Sequence, residues 1–318
     1  MKQMEQPQRE APPSSGRESA RERYAYWYYR SMEWTAMHLP ERVGRRMFAA
    51  AAAVEHARSP EQRLVVARNL ARVLGKDPES PEVRAAVREA FDSYARYWYD
   101  TFLIRALSPE EFDARFDMRG VEHVDAAREA GKGALVCLPH LGNWDAAGRW
   151  ITQHGYPLTA VAEMLRPERL YRLFREHREA LGMGIVPFTG TRKVAEDLVQ
   201  LVARNEVIAL VSDRDLGGRG VEVEMFGATR KMPAGPALLS LTTGSPLVPA
   251  AVYDTDRGWQ CTFTAPLELG RTDDLRADVA ALTRKLASRF EGFIAASPTE
   301  WHMWQPAWPE DEPEGGEG

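Results

Sequence analysis

Two hydrophobic rhythms divide the chain near residue 133. Before it, apolar positions recur at helical spacing. Val83, Val87, Phe91, Tyr94, Trp98 and Phe102 trace one face of an amphipathic helix. Val43, Met47, Ala50 or Ala51, and Val54 share a second helical face just after Pro40, a residue suited to a helix start. Ahead of both stands a dense aromatic cluster, Tyr24, Tyr26, Trp27, Tyr28, Tyr29 and Trp34. From Gly133 on, short apolar runs alternate with helical segments. The runs 134–138, 158–163, 184–188, 206–212, 221–226, 246–253 and 259–265 read as strands. Segments near 143–153, 167–180, 191–204 and 233–243 read as helices between them, and a last helix carries Leu275, Val279, Leu282, Leu286, Phe290 and Phe293.

This order predicts an α/β fold class: a mixed, mostly parallel central sheet flanked by helices, with a helical N-terminal cap. The runs 221–226 and 259–265 alternate more strictly, which predicts an antiparallel part of the sheet. Residues 1–23, polar and rich in Pro, Ser, Arg and Glu, read as a disordered leader, and 309–318 as an acidic disordered tail. Between them, 24–308 reads as a single domain, a helical cap over 24–105 and an α/β core over 133–308.

Composition narrows the class. The 318 residues are 44% hydrophobic and 27% charged, which fits a globular protein and excludes a chain disordered throughout. No run approaches the roughly 18–20 apolar residues of a membrane span, and the first residues lack the apolar core of a secretory signal. Cys137 and Cys261 make neither a disulfide framework nor a zinc site, which suits a reducing cytosol. The formal net charge is −5, and the last ten residues hold five acids and no base, so the rest of the chain is neutral overall. Arginines elsewhere are interleaved with Asp and Glu, which argues against a nucleic-acid partner. Arg30, Arg42, Arg45 and Arg46 stand beside the aromatic N-terminal helices, a composition suited to a membrane surface, although the same stripes fit packing on the sheet.

The candidate chemistry centres on ALVCLPHLGNWDAAGRW (134–150). A strand ends at Pro139 and His140 follows at once, at the sheet edge where open α/β folds bind ligands. Gly142 permits a tight turn and Asn143 can cap the following helix. Asp145 falls in its first turn, where its carboxylate can fold back to fix the tautomer of His140, making the pair a general base for a hydroxyl. The same spacing fits a hydrogen-bonded loop histidine and a helix-start acid. Glu163 closes one strand, and Asp213, Arg214 and Asp215 close another; each fits a site role or a structural ion pair. Arg178 can pair with a phosphate or a site acid, or lie on a helix surface. His302, flanked by Trp301 and Trp304, reads as structural, His154 and His177 as surface histidines, and Cys137 as inert core. No G-x-S-x-G elbow, P-loop, complete G-x-G-x-x-G or zinc spacing appears.

HLGNWD (140–145), LPERVGRRMFAAAA (39–52), VSDRDLGGRGVEVEMFG (211–227), MPAGPALLSLTTGSPLVP (232–249) and PTEWHMWQPAWP (298–309) together resemble the bacterial lipid A biosynthesis acyltransferase superfamily, related to glycerol-3-phosphate acyltransferase. The resemblance spans about residues 24–309 and is greatest to the phosphatidylinositol mannoside acyltransferases of actinobacteria. It implies a glycerol-3-phosphate-acyltransferase-like fold and transfer of a long acyl chain, palmitoyl, from acyl-CoA as co-substrate, with no bound cofactor or metal. The implied acceptor is a mannose hydroxyl of phosphatidylinositol mannoside. His140 would be the base, Asp145 its partner, with Glu163 and Asp213 or Asp215 assisting, Asn143, Arg178 and Arg214 binding substrate, and direct attack without an acyl-enzyme. It further implies a cytoplasmic protein peripheral on the inner face of the cell membrane. The alternatives are a related acyltransferase acting on another glycolipid, such as a lipid A precursor, and a non-catalytic lipid-binding protein of the same fold.

Overall fold

The computed structural model describes residues 19–189, 191–215, 217–268 and 270–311. Four helices come first: α1 (Ala20–His38), α2 (Glu41–Arg58), α3 (Pro60–Leu74) and α4 (Pro81–Leu103). A short helix α5 (Pro109–Asp113), strand β1 (Phe116–Arg119) and helix α6 (Glu122–Glu129) lead into the alternating half. There β2 (Ala134–Leu138), α7 (Trp144–Gln153), β3 (Leu158–Glu163), α8 (Glu168–Ala180), β4 (Gly184–Phe188), α9 (Arg192–Ala203) and β5 (Val207–Val211) follow in strict alternation. The hairpin β6 (Val221–Met225) and β7 (Ala228–Met232), helix α10 (Gly235–Thr243), strands β8 (Leu247–Thr255) and β9 (Gly258–Phe263) and helix α11 (Leu275–Ala296) complete it.

Seven strands form one sheet in the order β1-β9-β8-β2-β5-β3-β4. Its pairs are parallel except β8 with β9, which are joined by a tight turn. The sheet is therefore mixed and mostly parallel, as the alternating pattern predicts, and its central strands β2 and β8 bury residues on both faces. Leu135, Cys137, Ile208 and Leu210 point to one face, against α10, α11 and the β6–β7 hairpin. Ala134, Val136, Leu138, Val207 and Val248 point to the other, against α5, α6 and α7.

Three expectations shift. The run 221–226 is not part of the main sheet: β6 pairs only with β7, as a separate antiparallel ribbon whose inward Val223 and Met225 pack on the first face. Its alternation is that of a one-sided hairpin. Residues 20–23 belong to α1, not to a leader, because Ser19 caps the helix and Glu22 completes a capping box. Residues 309–311 form a short 3-10 turn instead of opening a free tail, since Arg72 of α3 pairs with both Glu310 and Asp311. The rest of the leader and tail, 1–18 and 312–318, lies outside the described residues.

The helical cap packs through α4. Phe102, Leu103 and Tyr99 meet Ala36 of α1, Phe48 of α2 and Leu170, Leu173 and Phe174 of α8. In α2 the contact is made by Gly44, Phe48 and Ala52, whereas the stripe Val43, Met47 and Val54 faces outward at about half exposure. In α1, Tyr24, Trp27 and Trp34 are more exposed still, at 57–70%. Among the described residues no helix is long and apolar enough to cross a membrane.

Candidate active site

Register places the key pair. Strands β2 and β5 are parallel neighbours with Leu138 opposite Val211. Two residues beyond each partner stand His140 and Asp213, so the two side chains leave the sheet edge side by side. His140 Nδ1 lies 2.5 Å from Asp213 Oδ1. Gly142, at φ +59°, turns the chain directly against the carbonyl of Val252, where a Cβ would sit 2.2 Å from that oxygen. The turn starts α7 over the second face of the sheet and leaves His140 at the lip of a cavity, its side chain 19% exposed.

Asp213 is fully buried. Its second oxygen, Oδ2, accepts a 2.8 Å hydrogen bond from the indole Nε1 of Trp301, and its carbonyl accepts one of 2.6 Å from Arg230. Burial alone would push this carboxyl up. The charge and hydrogen bond of His140, the Trp301 bond and the Arg230 charge outweigh it and hold Asp213 below the ordinary carboxylate range. The pair thus has a fixed geometry: an ionised acid on Nδ1, leaving Nε2 as the ring nitrogen free to take a proton.

The segment Glu300–Trp304 straps this arrangement. Leu141 bridges Trp301, Gly142 N–H donates to the Glu300 carbonyl, and His302 N–H donates to the His140 carbonyl at 2.7 Å. The strap is held from behind by the buried Asn69 of α3, whose amide donates to the carbonyls of Met303 and Gln305 and accepts from Ala307 N–H.

Asp145 does not touch His140. It is 2% exposed and forms a bidentate pair with Arg178 of α8, at 2.6 and 3.2 Å, with the Tyr97 hydroxyl donating at 3.4 Å. Burial opposes its charge, and Arg178 overrides burial to hold the carboxyl low. Its oxygens are therefore committed to locking α7 onto α8 and α4, and the expected His140–Asp145 contact gives way to His140–Asp213. Asp215 is likewise turned away, accepting from the backbone amides of Gly217 and Gly220. Asn143 caps α7 through the Ala146 amide, as its position suggests, but is fully buried and so has no face for substrate.

Glu163 and Arg214 meet at 3.6 Å on the rim of the cavity. Arg178, expected at a phosphate or an acid, has the acid. His177 is a correction: it is buried, not on the surface, and burial pushes it down to about 4 against the pull of Asp145. His302 is buried among Tyr94, Tyr97 and Trp144, and burial with the nearby His140 pushes it down to about 3. Cys137 lies in the core, its thiol pushed up to about 12 by burial.

His140 opens on a cavity of about 1160 Å³, mostly apolar in its walls. Beneath α7 it runs across the second face of the sheet, because the side chains there are small: Ala147 and Gly148 on α7, Ala160 and Ala162 on β3, Ala209 on β5 and Ala250 on β8. Ala160 and Ala209 sit on central strands yet are only half-buried, so this hollow replaces packing. Its far end reaches Cys261 and Phe263 of β9. The alternation of small residues at 160 and 162 was the one signal in the sequence that could have located it. Trp301 and Arg230 also escaped the sequence reading, since both reach Asp213 from far along the chain. Among the described residues no group of three or more His, Cys, Asp or Glu is placed to hold a metal ion.

The chain is similar to known proteins over this whole region. The family model described as bacterial lipid A biosynthesis acyltransferase matches residues 15–310. A phosphatidylinositol mannoside acyltransferase of Mycolicibacterium smegmatis is 41% identical over 273 residues, 85% of this chain and 86% of that protein. One of Mycobacterium tuberculosis is 39% identical over 303 residues, 93% of this chain and 92% of that protein. A lipid A biosynthesis acyltransferase of Haemophilus influenzae is 24% identical over 208 residues, 62% of this chain and 60% of that protein.

Proposed function

The chain belongs to the bacterial lipid A biosynthesis acyltransferase family and is an acyltransferase, and we propose that it transfers a long acyl chain, palmitoyl, from acyl-CoA to a mannose hydroxyl of a phosphatidylinositol mannoside. The observation that carries this reading is His140, paired with a buried carboxylate, at the mouth of a large apolar cavity. The acceptor class is supported by the mannoside acyltransferases, which match at 39–41% over most of the chain, against 24% over 62% for the lipid A enzyme.

The acyl chain lies in the hollow beneath α7, which leaves the thioester carbonyl at the lip beside His140. Nε2 takes the proton of the acceptor hydroxyl as its oxygen attacks the carbonyl carbon. The imidazolium is stabilised by Asp213 through Nδ1. As the tetrahedral intermediate collapses, the C–S bond breaks and His140 returns the proton to the departing CoA sulfur. No acyl-enzyme forms. A positioned base of this kind contributes roughly 10²–10⁴-fold. No cofactor takes part.

With a CoA donor and a lipid acceptor, the protein would work at the cytoplasmic face of the cell membrane, as a peripheral protein. The outward aromatics of α1 and the apolar stripe of α2, beside Arg42 and Arg46, suit the headgroup region. The test is acyl transfer from palmitoyl-CoA to purified mannoside presented in anionic vesicles. Wild type forms acylated product; His140→Ala loses at least a hundredfold in kcat; Trp27→Glu with Trp34→Glu loses vesicle binding. Wild type that binds the lipid but transfers nothing marks a lipid-binding protein instead, and undiminished transfer by His140→Ala removes the base.

A further inference from the structure

The cavity has a second arm that the transferred acyl chain does not need. Strand alternation separates the two. Ala160, Ala162 and Ala209 face the hollow beneath α7, whereas Val161 and Leu210 point through to the opposite face of the sheet, and both sets line one continuous cavity. On that opposite face the lining is α9 and α10: Val194, Leu198 and Val199 on one, Leu238, Leu239 and Thr242 on the other. The two arms differ in kind. The first is walled by buried core residues, while the second is open, with Val199 38% and Leu238 43% exposed.

Helix α9 explains the opening. It is strongly amphipathic, yet only Val202 of its apolar face is buried. A stripe at 194, 195, 198 and 199 therefore lines the groove between α9 and α10, with Leu198 half-buried against the core and Val199 open to solvent. Between the arms stands Arg214, just past the end of β5; its contact with Glu163 is long, at 3.6 Å, and its buried Nε has no hydrogen-bond partner. Arg219 lines the same cavity. At about 1160 Å³ the whole exceeds the roughly 300–1,000 Å³ that a single drug-sized ligand occupies.

We propose that the α9–α10 groove holds one fatty chain of the acceptor lipid, with the acceptor's phosphodiester at Arg214. Resting on the acyltransfer reading above, this makes the enzyme a reader of two chains. The enclosed arm takes the chain to be transferred. The open arm takes a chain still continuous with a bilayer, which enters and leaves sideways. The groove is contiguous with the cavity at His140, and its cationic junction matches an anionic diacyl glycolipid and not a second acyl-CoA, whose chain carries no charge near its carbonyl.

The test compares a diacyl mannoside acceptor with the same headgroup after chemical deacylation, using Val199→Asp with Leu238→Asp. Both positions are exposed, so the fold tolerates the change, and circular dichroism checks it. We expect kcat/KM for the diacyl acceptor to fall at least tenfold through KM, with a change of twofold or less on the deacylated acceptor. Arg214→Gln raises KM for both acceptors, since both keep the phosphate. Equal losses on the two acceptors, or none on either, overturn the proposal. So does a loss of vesicle binding matching the loss of activity, which would make the groove a membrane contact. A wild type that transfers to neither acceptor defeats the acyltransfer reading itself and is a separate outcome.

Discussion

The indole Nε1 of Trp301 donates its hydrogen bond, 2.8 Å long, to the one oxygen of Asp213 that His140 does not use. The carboxylate is thereby held at both ends, and its plane cannot rotate away from the imidazole. Trp301→Phe keeps the ring and removes the donor. Losing one partner of a buried acceptor costs about 1–3 kcal/mol, so we expect kcat to fall roughly 5- to 150-fold with KM unchanged. Because the Trp301 bond draws charge off the Asp213 carboxylate, its loss leaves that carboxylate a stronger partner for the imidazolium, and the acidic limb of the pH–rate profile should move to higher pH. A purely structural tryptophan would lower yield and leave the limb in place.

Asp145 and Arg178 are coupled through stability, not through the base. Asp145→Asn leaves the guanidinium of Arg178 without its counter-charge, and breaking a buried pair from one side costs about 3–5 kcal/mol. Urea denaturation should show this loss, and Asp145→Asn with Arg178→Met should recover part of it. Per folded molecule, Asp145→Asn should keep more of its kcat than Asp213→Asn. The reverse ranking would return Asp145 to His140.

Buried His177 makes the fold sensitive to acid in a defined window. Its folded value is lowered to about 4 from 6.5, so below pH 6.5 the unfolded chain takes up a proton that the folded one refuses. This contribution to stability is present above 6.5 and is lost as pH falls towards 4. Asp100 and Glu300, both raised to about 7 by burial, have the opposite sign: they take up protons in the folded state first and gain stability on acidification. Wild type alone therefore conceals the histidine. Between pH 7 and pH 5, His177→Phe should gain about 2 kcal/mol relative to wild type, measured by urea denaturation at the two pH values.

The proposed seat of the acyl chain beneath α7 predicts selection by chain length. Ala147→Phe projects a ring into it. Displacing two or three methylenes at about 0.8 kcal/mol each should lower kcat/KM for palmitoyl-CoA about 15- to 60-fold and spare decanoyl-CoA. Equal losses on both donors would place the acyl chain elsewhere.

Much of this architecture is legible in the sequence, and the parts that are not share a cause. The runs at 134–138, 158–163 and 184–188 coincide with strands β2, β3 and β4, since each is a short, largely apolar stretch between turn residues. Strand β1, FDMR, carries no such run; it is an edge strand defined by its pairing with β9. In the site, His140 stands out because it follows a strand directly. The sequence reading pairs it with Asp145 and leaves the assisting acid open between Asp213 and Asp215, two acids separated by a single residue. The β2–β5 register decides between them, and register is a long-range property. The apolar stripe of α2 misleads in another way: Val43, Met47 and Val54 look like core, yet the packed face is Gly44, Phe48 and Ala52, since Tyr99 lies against Gly44 and leaves no room for anything larger.

The strap from Glu300 to Trp304 lies more than 150 residues after His140, and it supplies the indole on Asp213 and the backbone bond to the His140 carbonyl. A chain emerging from the ribosome folds from its N-terminal end. It can thus form β2 and β5, and bring His140 beside Asp213, well before Trp301 has been synthesised. Until then the carboxylate lacks its second anchor. The site at His140 is thus completed by residues made among the last of the chain, and a chain ending before Trp301 would lack the second hold on Asp213.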